Sequence, residues 1–411
     1  KSTTFIFNMV SASALYGVLF LCAPLIADFY RTPALILIVR VMGLNLIVDA
    51  LSIVQTSVLI QRVDFRSQAM ARFGGVVISG TVGVLLAYQG YGVWALVARI
   101  LVNGTMLAVL LWRLDPWKPS LVFDKASFRR LFRFGSRILA AGLLDKFFSQ
   151  AYKLVIGKFF LAATLGFYAQ AGTFVNMVIN TLFRPVQTVS YPVLAKLQDD
   201  RVRLKTGYRA ILRLGSFIVF PTLVLLGVLA EQVISVLLGE KWLPSAPYLR
   251  LLCAAGATVH LSQVNLNMLL VLGRSDLSLR LEIVKKVNIA IGIAIGVQYG
   301  IMGLVVGEVI VSYVNLMVNA YYSRALLSYA PLEQMRDVLP TLALSAVIGL
   351  GIMGLRTVLP FGGVLGLMSL AAAGGLAYLL MHMVLSTGEW RLVTEKVLPK
   401  AWKMVNGRHG S

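Results

Sequence analysis

The sequence predicts an all-α polytopic membrane protein built from two like halves. Three observations predict it. The chain has 411 residues, is 58% hydrophobic and only 13% charged, and has mean hydropathy +0.81; a soluble domain is about a quarter charged. So much apolar surface requires lipid as its solvent. Next, twelve stretches approach the roughly 20 apolar residues a helix needs to cross a bilayer core. Finally, a run near the start returns loosely in the second half. Ala23-Pro24-Leu25-Ile26, an apolar helix, Val63-Asp64-Phe65-Arg66 and Tyr91-Gly92-Val93 are matched by Ala230-Glu231-Gln232-Val233-Ile234, an apolar helix, Arg274-Ser275-Asp276-Leu277 and Tyr299-Gly300-Ile301. Repeated halves are the architecture of secondary transporters, whose site lies between the halves near mid-membrane.

Taken in order, the expected spans are 5–27, 34–59, 70–88, 93–112, 137–160, 166–194, 208–229, 247–272, 279–298, 301–322, 338–358 and 363–385. Tyr88-Gln89-Gly90-Tyr91-Gly92 and Gln298-Tyr299-Gly300 read as tight helix-to-helix turns. Pro185 and Pro192 should bend the sixth span. Orientation follows from where Lys and Arg collect. Alternate connections hold Arg62, Arg66 and Arg72; Arg113 to Arg133; Lys196 to Arg209; Arg274 to Lys286; and Arg324 and Arg336, and the tail adds five more basic residues. The other connections carry little beyond Arg31, Lys158, Lys241 and Arg356. The basic set is expected to be cytoplasmic, with both ends of the chain on that side, which an even number of spans satisfies.

The expected organisation is a four-span lobe over 1–118, an amphipathic linker over 119–136, a six-span lobe over 137–325, two further spans over 326–388 and an amphipathic tail over 389–411. Residues 124–134 and 389–404 interleave aromatic and aliphatic side chains with Lys and Arg, the pattern of helices lying flat at the headgroups. The chain begins at Lys1 and enters a span almost at once, which reads as a fragment and not as a signal peptide. The net charge of +21 sits between apolar spans, so it reports topology and contact with anionic lipid; no nucleic-acid partner is expected. Cys22 and Cys253 lie in apolar stretches with no metal spacing and read as small buried hydrophobes.

Ionisable groups inside a span are costly unless paired or in contact with water, so they point to function. Lys146, Gln150 and Lys153 fall at i, i+4 and i+7, one face of a helix, with Asp145 beside them. Asn176, Asn180 and Arg184 recur at four-residue spacing, flanked by Thr173 and Gln187. Arg99 and Asn103 form a similar pair, as do Asn45 and Asp49. Together these describe a cavity lined by cations that attracts an anion, most naturally phosphate: Arg offers a bidentate fork and Lys a point charge. The substrate-contacting candidates are Arg99, Lys146, Gln150, Lys153, Asn176, Asn180 and Arg184, and Asp49, Asp145 and Glu308 are candidates for holding a coupling ion or for pairing with Arg or Lys. Lys158, Arg40 and Arg137, near span ends, read as snorkelling structural charges. His260 reads as a hydrogen-bonded structural residue.

Signatures of catalysis are missing. No phosphate-binding GxxxxGK[ST] loop is present; Gly157-Lys158 lacks the earlier glycine and is followed by Phe159, so the chain is not expected to hydrolyse ATP. No GxSxG or HExxH occurs. No cofactor and no metal are expected, and no enzyme activity.

Seven short motifs, in order, resemble a known family: Gln55-Thr56-Ser57-Val58-Leu59, Val63-Asp64-Phe65, Ile156-Gly157-Lys158-Phe159, Leu165-Gly166-Phe167-Tyr168, Tyr191-Pro192-Val193-Leu194 with Gln198-Asp199-Asp200, Glu240-Lys241-Trp242-Leu243-Pro244 and Gly273-Arg274-Ser275-Asp276-Leu277. They are similar to the polysaccharide-export, Wzx-type flippases of the multidrug/oligosaccharidyl-lipid/polysaccharide superfamily. The resemblance implies two pseudo-symmetric bundles of six helices around a central cavity, plus two C-terminal helices; here the first two helices of that pattern are missing. It implies movement of undecaprenyl-diphosphate-linked oligosaccharide across the bacterial inner membrane by alternating access, driven by a proton, sodium or potential gradient. A polysaccharide polymerase and a chain-length regulator are the partners it suggests. The rival within the superfamily is a drug/cation antiporter, whose site should be acidic and aromatic; here mid-span Lys and Arg outweigh the carboxylates. A membrane-bound glycan polymerase or ligase would need a long outer loop, and a purely structural subunit would not need intramembrane polar stripes.

Overall fold

The computed structural model describes residues 2–62, 64–114, 146–358, 362–385, 387–391 and 394, together with isolated positions between 117 and 143. Its contacts divide the chain into two compact units, Lys1–Phe147 and Phe148–Ser411. Among the described residues every regular element is helical, as composition predicts. Eight stretches are long and apolar enough to cross a membrane.

The first unit holds α1 (Ser2–Phe29), α2 (Leu35–Gln61), α3 (Phe65–Tyr88) and α4 (Val93–Leu114). In space α4 lies between α2 and α3, and α1 packs on α2. Small residues permit the close approaches: Gly104 faces the Asn45 side chain, and Gly83 faces the aliphatic stem of Arg99. Trp112 Nε1 donates to the Leu51 carbonyl at 2.8 Å, pinning α4 to α2. Asp64 caps α3 by accepting from the Ser67 amide at 3.0 Å, and that bonding holds its carboxyl below the usual range. The α3–α4 turn forms where expected, with Gly90 (φ 86°) and Gly92 (φ 52°) in backbone regions that a side chain disfavours.

The unit boundary falls after Phe147, later than the linker expected at 119–136. The described positions of that linker explain the difference. Ser120 Oγ and Ser2 Oγ are 2.8 Å apart, the Asp124 amide donates to Thr3 Oγ1, and the Phe132 ring stacks edge-on with Phe7. These described positions thus pack on the first unit. Most of the two segments expected to lie at the headgroups, 124–134 and 389–404, falls outside the described residues.

The second unit holds α5 (Ala151–Phe159), α6 (Ala162–Val178), α7 (Arg184–Ala195), α8 (Arg201–Val228), α9 (Ala230–Leu238), α10 (Ala246–Val271), α11 (Ser275–Gly296), α12 (Gly300–Leu327), α13 (Pro331–Val358), α14 (Gly363–Val384) and the short α15 (Gly388–Arg391). Helix α10 is its axis, packed by α6, α8 and α12, and more than half of its residues are buried. That position lets α10 carry His260, Gln263, Asn265 and Asn267, and it is not among the eight membrane-crossing stretches. Asn265 and Gln334 exchange amide hydrogen bonds at 3.1 and 3.2 Å, and Ser323 donates to Asn265 at 2.5 Å, which locks α10, α12 and α13 together. A buried amide pair satisfied in this way costs little and fixes register.

Two ionic ties flank the bundle. Near its start α8 presents Lys205, Arg209 and Arg213 at four-residue spacing to Glu333 and Asp337 on α13. Asp337, 4% exposed, accepts twice from Arg209 at 2.7 Å, from Tyr329 at 2.5 Å and from Arg213. At the other end Glu231 accepts from Arg250 and Arg356, both at 2.7 Å. Those hydrogen bonds, to Arg356 first and Arg250 next, hold the Glu231 carboxyl below its ordinary range.

Candidate functional site

The sixth expected span is not one α-helix. Residues Ile179–Phe183 form a π turn between α6 and α7. Its buried stripe, Ala171, Val175, Ile179 and Phe183, repeats every four residues. On an α-helix that spacing drifts about 40° per step; the wider π turn brings Phe183 back onto the stripe. The opposite face then stays continuous, and Thr173, Asn176, Asn180 and Arg184 are all exposed along it. Among the described residues no side-chain hydrogen bond occupies Asn176 or Asn180. Two carboxamides and a guanidinium on one such face suit an aqueous surface, because lipid would leave them unsatisfied. The π turn itself is a feature that recurs at functional sites.

The run 146–153 is not the uninterrupted helix that its spacing suggests. Gln150 (φ −103°, ψ 1°) is a turn residue and the N-cap of α5, so Lys146 and Lys153 stand on either side of a break. Lys146 is exposed at the end of the first unit. Asp145 and Arg137 lie outside the described residues.

Polar side chains link α6 to α12, and Lys153 on α5 is partly buried. Tyr168 Oη donates to Glu308 Oε2 at 2.7 Å across 140 residues of sequence. Among the described residues Lys153 makes no contact ion pair. The Tyr152 hydroxyl is buried with no hydrogen-bond partner, about where α11 passes at Gly292. Further along the α11–α12 hairpin, Asn288 Nδ2 donates to Asn315 Oδ1 at 2.9 Å. Glycines hold this hairpin tight: a Cβ on Gly296 would stand 2.9 Å from Leu304 Cα and from the Gly303 carbonyl. Facing positions 288 and 315, 292 and 311, and 296 and 307 advance four residues at a time.

The remaining candidates are elsewhere. Arg99 and Asp49 belong to the first unit; both are exposed, and Asp49 accepts from Asn45 at 2.8 Å. Arg40 stacks 4.2 Å from the Phe20 ring centre, the structural role its position suggests. His260 is buried, with Nε2 3.0 Å from Ser216 Oγ and with the Phe183 and Phe220 rings edge-on. The structure therefore places Asn176, Asn180 and Arg184 along one exposed face. Sequence reasoning missed Tyr152, Tyr168, Asn288 and Asn315. The two asparagines had a signal, carboxamides within the two apolar spans joined by one hairpin turn. The tyrosines had none, since neither spacing nor neighbours mark them.

Fold and composition together define a multi-pass, all-α membrane protein. The profile of the polysaccharide biosynthesis protein family matches residues 1–247, and the chain belongs to that family. It is 24% identical over 280 residues to the teichuronic acid biosynthesis protein TuaB of Bacillus subtilis (strain 168), covering 67% of this chain and 58% of that protein. It is 25% identical over 269 residues to the lipopolysaccharide biosynthesis protein WzxC of Escherichia coli (strain K12), covering 65% and 54%. The succinoglycan biosynthesis transport protein ExoT of Rhizobium meliloti (strain 1021) is 25% identical over 234 residues, 57% of this chain and 47% of that one. The chain thus spans about half the length of these relatives. Its fold is that of the lipid II flippase MurJ in an inward closed conformation, with TM-score 0.73 at 14% identity, covering 94% of this chain and 84% of that one.

Proposed function

We propose that this chain moves undecaprenyl-diphosphate-linked oligosaccharide repeat units from the inner to the outer leaflet of the bacterial inner membrane, opening alternately to its two sides. The observation that carries the reading is Lys153. It is a partly buried cation on a short helix of the second unit, with no contact ion pair among the described residues. A bare cation inside a membrane is costly, and the doubly acidic diphosphate of a lipid carrier is the anion that would offset the cost. Arg99, Lys146 and Arg184 add positive charge for the diphosphate. Gln150, Asn176 and Asn180 supply donors and acceptors for sugar hydroxyls.

The relatives' roles in teichuronic acid, succinoglycan and lipopolysaccharide biosynthesis, and the lipid II flippase fold, support a glycan on a lipid carrier. Both ends are placed in the cytoplasm by the distribution of Lys and Arg. A polymerase and a chain-length regulator are the expected partners in the membrane. The test is a deletion strain complemented by variants. Loss of the protein should accumulate lipid-linked repeat units on the inner leaflet. Lys153→Ala and Lys146→Ala should each fail to restore surface polymer while remaining in the membrane at normal levels. Undiminished polymer from both would remove the cationic site.

A further inference from the structure

The π turn between α6 and α7 is anchored on both sides. Upstream, Val175 and Ile179 press on α10 where it carries no side chain: a Cβ on Gly256 would stand 2.6 Å from Val175 Cγ1 and 3.7 Å from Ile179 Cδ1. Downstream, the Phe183 ring fills a socket on α8 and α10. A Cβ on Gly215 would stand 2.8 Å from that ring, and the His260 ring meets it edge-on with centres 5.6 Å apart. Ser216, the neighbour of Gly215, lies 3.0 Å from His260 Nε2 and holds that wall of the socket in place. The two anchors therefore fix a spacing that other helices dictate. Pro185 follows at once. In a regular α-helix its ring would crowd the Thr181 carbonyl, which would receive no amide from it. Widening the turn relieves that crowding.

We infer that Phe183 is a positioning residue: seated against Gly215 and His260, it holds the π turn and so sets the direction in which Arg184 leaves the helix. The inference rests on the flippase reading and deepens it, since Arg184 is one of the cations assigned there to the diphosphate. One extra residue in a turn sets everything downstream back by about 100° relative to an uninterrupted α-helix. With the turn, Arg184 stands about 20° around the axis from Asn176; without it the angle is about 80°.

The rest of α7 carries the same register. Leu194, about three turns beyond Phe183, returns to the buried stripe and is 3% exposed. Thr188 is exposed in line with Asn180, whereas Gln187 is half-buried. An uninterrupted helix would exchange these two: Gln187 would join the face of Asn180 and Thr188 would turn about 80° away from it. The pair is thus a reporter of the turn that makes no use of Arg184 itself.

The test labels single cysteines at 187 and 188 with a charged methanethiosulfonate in membranes open on both sides, with Cys22→Ala and Cys253→Ala as the background. Thr188→Cys should react faster than Gln187→Cys. Phe183→Ala should reverse that order and abolish surface polymer. Deleting Thr181 in the Phe183→Ala chain removes the extra residue and returns the downstream register without the socket, so it should restore both the order and the polymer. A loss of packing alone would not be repaired by a deletion. Where Phe183→Ala does not fold, Gly215→Ala closes the socket from α8 and should give the same reversal. An unchanged order in Phe183→Ala or Gly215→Ala, or no restoration by the deletion, overturns the positioning role and leaves the substrate reading intact. Reversal with undiminished polymer overturns its part in transport and removes Arg184 from the diphosphate site. Gln187→Cys reacting as fast as Thr188→Cys in the unaltered turn overturns the register itself.

Discussion

Asp337 of α13 is the carboxylate on which two arginines of α8 and Tyr329 converge, and its removal gives a calculable loss. It is 4% exposed and receives two hydrogen bonds from Arg209, one from Tyr329 and one from Arg213, whose side chains are 36% and 30% exposed for the two arginines. Breaking a buried ion pair by deleting one partner costs about 3–5 kcal/mol. The arginines can partly rehydrate, so Asp337→Ala should fall at the low end, about 3 kcal/mol. For a unit of this size that corresponds to a fall in Tm of about 6–12 °C. Asp337→Asn keeps the shape and one acceptor and should lose about 1–2 kcal/mol. The assay is thermal unfolding of the detergent-purified protein followed by loss of the monodisperse peak. A double-mutant cycle with Arg209→Ala should return a coupling of about 1–3 kcal/mol. If Asp337→Ala melts within about 2 °C of wild type, the cluster is ornamental and the reasoning about buried charge fails here.

Other expectations follow from particular contacts. Gly296→Ala should destabilise by about 1–3 kcal/mol, because the added Cβ meets backbone atoms of α12 that cannot turn aside; Gly351→Ala, with open space at that position, should be nearly neutral or slightly stabilising in the same melting assay. Asn265→Leu or Gln334→Leu should each cost about 1–3 kcal/mol by orphaning a buried amide, and the double variant should cost less than their sum. Glu231 is a group whose folded value is depressed, so its tie is present above the ordinary carboxylate range and is lost as pH falls through that range to the folded value. Glu231→Gln should therefore flatten the acid limb of stability, by less than about 1 kcal/mol because the side chain is 42% exposed, as read by melting at a series of pH values.

Composition called for lipid and the long apolar runs for helices, since only 13% of the residues are charged. The turn glycines and the polar repeat over Thr173 to Arg184 were legible because each is a local property of a few neighbouring residues. The π turn at 179–183 was not, because it is a compromise between a four-residue apolar stripe and its packing on α10. Nor was the break at Gln150, which separates two lysines that share one face only on an ideal helix. The approach of Tyr168 to Glu308 across 140 residues, and the convergence of Arg209, Arg213 and Tyr329 on Asp337, could be decided only by tertiary structure. Local sequence sets periodicity and polarity, whereas which polar groups meet depends on interhelical register, and that is set by the fit of glycines and bulky side chains across helices far apart in the chain.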